Sequence, residues 1–192
     1  DVYKRQGADY VDVARREGGM DLLQSALETE AHPSFAPPFL RAGELTIGQV
    51  ANILLYLGGQ HALAPRTEPG RLWTHQLQLT IADLVTEIHD THHPISTSLY
   101  YEDQKPEAQR RAADLIETRL PKFFGYFARL LSNPEPRDWL VGDKPTYADL
   151  SLFQVVDGLR YAFPNAMKRL EGEYPALTCL LYTSPSPRDV EE

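Results

Sequence analysis

Three of the six histidines in this 192-residue chain fall within five positions, His89-Asp90-Thr91-His92-His93. His89 and His93 stand i,i+4, the spacing of a two-histidine metal pair on one helix face, with Glu87 or Asp90 as the nearest further ligands. His75 lies too many turns away to complete the set, so no metal site is assigned. The alternative is that the cluster closes the C-terminal end of a helix, where partial positive charge on imidazole is favourable. Cys179, the single cysteine, falls in a terminal stretch that reads as translated adaptor, which leaves disulfides, thiolate catalysis and cysteine metal sites without support. Phe123, Phe124, Tyr126, Phe127, Tyr161 and Phe163 recur at helical spacing and read as core rather than as an aromatic pocket. Arg110 and Arg111, with Glu107 and Asp114, read as a solvated, salt-bridged helix face.

A net charge of −8 disfavours a nucleic-acid surface. No apolar run approaches the roughly 20 residues that span a bilayer. With 42% apolar and 24% charged residues, the composition is that of a soluble globular chain. DVYKRQ at the start has no apolar signal region, so an intracellular protein is expected.

The elements that must position these side chains are punctuated by proline and glycine. Pro37-Pro38 marks a tight turn in which a cis bond costs little. Phe39-Leu40 and Leu45-Thr46-Ile47 form two short apolar pieces around the turn residues Ala42-Gly43, a hairpin pattern. Val50, Ile53, Leu54 and Leu57 then repeat as a helix expected to stop at Gly58-Gly59. Upstream, residues 7–13 alternate as a short strand, and 15–32 reads as a loop with a short helix. Residues 63–70, LAPRTEPG, read as a linker.

Beyond the linker the pattern is helical throughout. Leu72, Trp73, Gln76, Leu79, Leu84 and Ile88 mark one long helix ending before Pro94. A second runs over about 106–131, with Pro121 expected to kink it. Thr146 and Asp149 have the spacing of a reciprocal helix cap ahead of Leu150, Leu152, Phe153 and Val156, which gives Asp149 a structural role. Further helix starts are expected at 165–170 and 175–178.

The two ends resemble translated sequencing adaptor. DVYKRQ over 1–6 and CLLYTS over 179–184 are encoded by the two strands of one DNA element, so residues 1–6 and 179–192 are set aside. A native segment from about Gly7 to Thr178 is expected, open at both ends.

Pro38-Phe39-Leu40 through Gln49-Val50, followed by 51–58, resembles the second half of the thioredoxin-like domain of cytosolic glutathione transferases. Gly142-Asp143-Lys144-Pro145-Thr146-Tyr147-Ala148-Asp149-Leu150 resembles that family's helical-domain capping motif. The resemblance covers nearly all of 7–178. It implies an α+β fold: a partial thioredoxin-like α/β domain over 7–62 lacking its first strand and helix, a linker over 63–70, and an all-helical domain over 71–178.

The resemblance also implies a binding site. Pro38 would be the cis-proline whose preceding residue offers backbone groups to the cysteinyl part of glutathione; Pro37, with no N–H, retains only its carbonyl. Gln49 would lie beside the γ-glutamyl group. Val50 stands where members usually carry Ser, so the helix-terminal amide remains and the hydroxyl does not. His89, His93 and Tyr100 would border the second-substrate pocket. The Tyr, Ser or Cys that stabilises the thiolate would precede Gly7, so no catalytic residue is named. The implied activity is conjugation of glutathione, a co-substrate rather than a bound cofactor, to small hydrophobic electrophiles, a detoxification chemistry of cytoplasmic homodimers. The alternative is a non-catalytic relative with a binding or structural role, towards which Pro37 and Val50 both point.

Overall fold

Phe39–Ala42 (β1) and Leu45–Gly48 (β2) pair antiparallel, with Phe39 opposite Gly48 and Ala42 opposite Leu45. The turn is therefore Gly43-Glu44 rather than Ala42-Gly43. Gly43 sits at φ +63, the left-handed conformation that a two-residue hairpin turn asks of its first residue. The computed structural model describes residues 11, 13, 19–28, 31–132 and 134–178, in two units that divide after Tyr56. Residues 1–6 and 179–192 lie outside the described residues, as does the expected strand over 7–13 except Val11 and Val13, neither of which is in a strand.

In the first unit a short helix, α1 (Met20–Glu28), forms within the expected 15–32 segment and buries Ala26, whose carbonyl accepts from Ser34 N at 3.2 Å. Helix α2 (Val50–Gln60) follows β2 directly. It does not stop at Gly58-Gly59. Ala62 takes the left-handed conformation, φ +55, and Leu63 N bonds Gly58 O at 3.0 Å, which ends the helix in the usual left-handed way. Gly58 serves close packing instead, since a Cβ there would lie 2.4 Å from the Tyr147 ring.

The second unit takes in the end of α2 and the described residues that follow. Within the 63–70 stretch, Leu63 O accepts from Tyr147 N at 2.9 Å, and Thr67 Oγ1 accepts from Gly70 N at 3.3 Å to cap α3 (Glu68–His89). The stretch is thus partly the first turn of a helix. Helix α4 (Lys105–Asp114) runs through a π-helical turn, Leu115–Arg119, into α5 (Leu120–Ser132). Pro121 lacks an N–H, and its ring crowds the carbonyl four residues back; the widened turn before it, with Leu120 N on Leu115 O, relieves that crowding. The expected disturbance at Pro121 takes this form.

Helices α6 (Tyr147–Ala162) and α7 (Pro164–Glu173) complete the unit, and 175–178 begins another helical turn. Leu77, Ile81 and Leu84 of α3 meet Leu152, Val156 and Leu159 of α6 in a core that also holds Phe124, Phe127 and Leu170. Phe123, Phe124 and Phe127 are core as expected, while Tyr161 is 93% exposed.

Candidate functional site

The hairpin register brings the expected glutathione residues of the first unit to one end. Because Phe39 faces Gly48, Pro38 and Gln49 flank the same terminal pair. The Pro37–Pro38 peptide is cis. Gln49 stands at φ +66 as the last residue before α2, and its carbonyl accepts from Asn52 N at 3.0 Å and Ile53 N at 2.9 Å. Val50 N–H and Ala51 N–H find no acceptor among the described residues, as expected of a helix start. Pro37, Pro38, Gln49 and Val50 are all exposed. The arrangement offers an open helix N-terminus, two free amides and a polar side chain beside a cis-proline. An anionic group is the natural occupant of such an end.

In the second unit the histidines lie where α3 gives out. His89 is the last helical residue, and His93 is not on the helix face the spacing predicts. Pro94 disfavours a helical His93, and the chain leaves α3 in turns, His92 N on His89 O at 3.0 Å and His93 N on the same carbonyl at 3.4 Å. The rings still meet. His89 and His93 centroids are 5.5 Å apart, and His92 stacks on His93 at 4.8 Å. Tyr100 does not join them: it is 80% exposed, and Tyr101, turned inward by the 3₁₀ turn over 101–104, packs edge-on against His92 at 4.6 Å. Among the described residues no group of three or more His, Cys, Asp or Glu is placed to hold a metal ion.

Gln104 anchors this corner, and sequence reasoning missed it. The side chain is fully buried; its Oε1 accepts from Ile95 N at 2.9 Å and Ser96 N at 3.4 Å, and its Nε2 donates to Ser96 O at 3.0 Å and Leu99 O at 3.3 Å. One amide thus satisfies four backbone groups of the loop after α3. No local pattern marks Gln104, because its partners are set by how the loop folds back.

Glu87, weighed as a metal ligand, is committed elsewhere. Its two oxygens accept from Arg119 Nε at 2.8 Å and a terminal Arg119 nitrogen at 2.6 Å, with Arg111 at 3.5 Å. The Arg119 bonds hold the Glu87 carboxyl below the usual carboxylate value. Arg111 also pairs with Asp114 at 3.0 Å, so the expected solvated face is partly a bridge from α4 to α3. This ion pair forms one wall of a cleft of about 820 Å³ between α3 and α5, lined also by Asp83, Lys122, Phe123 and Tyr126.

At the start of α6, Asp149 is only 2% exposed, and its carboxylate accepts from Leu140 N at 2.7 Å, Thr146 N at 2.8 Å and Thr146 Oγ1 at 2.7 Å. Burial raises its pKa, and these donors oppose the rise. The capping role expected for Thr146 and Asp149 is realised, with a further bond to Leu140 that the spacing did not suggest.

Residues 89–184, half of the chain, match the family model described as "Glutathione S-transferase, C-terminal domain". The chain belongs to the glutathione S-transferase family. A glutathione S-transferase of Plasmodium yoelii yoelii is 27% identical over 131 residues, 68% of this chain and 56% of the relative. One from Mesocricetus auratus is 30% identical over 145 residues, 70% of this chain and 60% of the relative. The matched region thus spans less than two thirds of these transferases. The Pi-class glutathione S-transferase of Onchocerca volvulus superposes with a TM-score of 0.69 at 20% identity, covering 97% of this chain and 80% of that one. Prostaglandin synthase D of Nilaparvata lugens superposes at 0.70 and 15% identity, covering 94% and 81%. These likenesses establish the glutathione-transferase fold, a small hairpin-bearing unit followed by a helical one. Among the described residues, no helix is long and apolar enough to cross a membrane.

Proposed function

We propose that this glutathione-transferase family member binds glutathione through Pro37, Pro38, Gln49 and Val50 and serves its conjugation to a small hydrophobic electrophile, as a cytoplasmic homodimer. The observation that carries the reading is Gln49, whose φ of +66 turns the chain out of the hairpin into an open helix N-terminus. In this reading the Pro37 carbonyl accepts from the cysteinyl amide, and Val50 N–H and Ala51 N–H receive the γ-glutamyl carboxylate. His89, His93 and Tyr100 of the second unit are the residues proposed to contact the electrophile. The glutathione thiolate is the nucleophile in this reading.

The test is retention of the folded protein on immobilised glutathione and its release by free glutathione. A protein that passes straight through while giving a helical circular-dichroism spectrum would sink the reading. A second reading, a family member that binds without catalysis, is favoured by Pro37, which has no N–H, and Val50, which has no hydroxyl. Retention on glutathione with no turnover of a panel of aryl halides, epoxides and unsaturated carbonyl compounds would support it.

A further inference from the structure

The amide of Gln104 faces His93 as well as the loop backbone. Its Oε1 is identified as the oxygen because both its partners, Ile95 N and Ser96 N, can only donate. Its Nε2 is therefore the NH₂ end, and beyond Ser96 O and Leu99 O it meets His93 Nδ1 at 3.4 Å. Two protons serve three acceptors, so one is shared. A proton on Nδ1 would set N–H against N–H at this contact.

We infer that Gln104 is a positioning residue that holds His93 as the Nε2–H tautomer, so that the imidazole presents a donor rather than an acceptor on its open edge. The ring plane is held as well, by His92 stacked at 4.8 Å and 16° with Tyr101 edge-on behind it. His93 Nε2 takes no partner among the described residues. The consequence for substrate rests on the proposed second-substrate role of His93. A fixed N–H favours electrophiles with an acceptor oxygen on or beside the reacting carbon, such as unsaturated carbonyl compounds and epoxides, where negative charge gathers on that oxygen as the thiolate adds. A simple alkyl halide has no such oxygen to receive the bond.

The experiment is long-range ¹H–¹⁵N correlation of the histidine rings in the full ¹⁵N-labelled chain, at about two pH units above the ordinary imidazole value of about 6.5. The His93 signals are assigned by their loss in His93→Asn. The expected result is one tautomer for His93, bare at Nδ1, while the exposed His32 and His61 show the averaged mixture of free imidazole. Gln104→Glu retains an acceptor for the Ile95 and Ser96 amides but turns an oxygen towards Nδ1, and should move the proton to Nδ1. Averaging at His93 like that of His32 and His61 overturns the inference, and so does a folded Gln104→Glu protein with the His93 pattern unchanged. The wild-type comparison decides alone if that variant does not fold. Adding acetophenone, with ethylbenzene as the oxygen-free control, separates the two claims. A single tautomer whose Nε2–H responds to neither compound preserves the positioning role and removes the second-substrate reading of His93.

Discussion

At the start of α6 the Asp149 carboxylate takes up three donors of its own unit, and the whole arrangement is buried. At the start of α2, Val50 N–H and Ala51 N–H find no acceptor among the described residues, and Val50 is 51% exposed. Both are helix N-termini with the same surplus of amide donors. At α6, Thr146 N is taken by Asp149 and Tyr147 N by Leu63 O, contacts within the unit that stabilise the fold. The other is exposed and is where glutathione is proposed to bind, and its neighbour Gln49 carries a left-handed backbone that non-glycine residues seldom adopt. If the proposed glutathione site is right, substitutions at the two ends should separate stability from binding.

The largest effect belongs to the closed end. Asp149→Ala leaves the donors of Leu140 and Thr146 buried without an acceptor and should cost about 3–5 kcal/mol of unfolding free energy in urea titration, from about 1–3 kcal/mol per orphaned group. A loss under about 1 kcal/mol would mean that water replaces the carboxylate and that the end is not closed.

Next comes Glu87, the carboxylate that Arg119 clamps. Glu87→Gln should cost about 1 kcal/mol at neutral pH, since the pair is part-exposed and screened. Glu87 has a folded pKa below its usual 4.5, so its stabilisation is present above 4.5 and lost as pH falls through the lower folded value. The gap between wild type and Glu87→Gln should therefore close in acid. Asp149 slopes the other way. Burial raises its folded value above 3.8, so the folded chain binds that proton more tightly, and acidification through the folded value towards 3.8 favours folding at this group. Urea midpoints between pH 7 and 3 for wild type, Glu87→Gln and Asp149→Asn would show opposite slopes; parallel curves would contradict both assignments.

At the open end, stability and binding should part company. Gln49→Gly relieves the φ +66 backbone and should stabilise the chain by about 0.5–1 kcal/mol while reducing glutathione retention roughly tenfold. Loss of both together would make Gln49 a structural residue. The smallest change is Val50→Ser, which adds a hydroxyl beside the two open amides. It should tighten glutathione binding about five-fold by calorimetry, the worth of one hydrogen bond of about 1 kcal/mol, and leave the melting temperature within a degree or two.

Much of the fold was legible because its signals are local. Pro37-Pro38, the alternation around Gly43 and the Thr146-to-Asp149 spacing each describe a backbone conformation set by neighbours within a few residues. What was not legible depends on partners far along the chain. Gly58 reads as a helix stop until the Tyr147 ring is seen against it. Glu87 reads, with Asp90, as one of the nearest further ligands for a histidine pair to which no metal site is assigned, until Arg119 takes both its oxygens. Tyr100 and Tyr101 cannot be told apart by spacing, since the 3₁₀ turn alone decides which one faces His92.

The hairpin, the long helices after it, the family and the hairpin end where glutathione is proposed to sit could be read from sequence, because turn chemistry, helical period and capping are short-range properties of the polymer. Packing between distant parts of the chain settled that Gln104 holds the loop around His93 and that the α6 cap reaches back to Leu140. Those outcomes follow from burial. Once a polar group is removed from water it must find a partner wherever the packed chain supplies one.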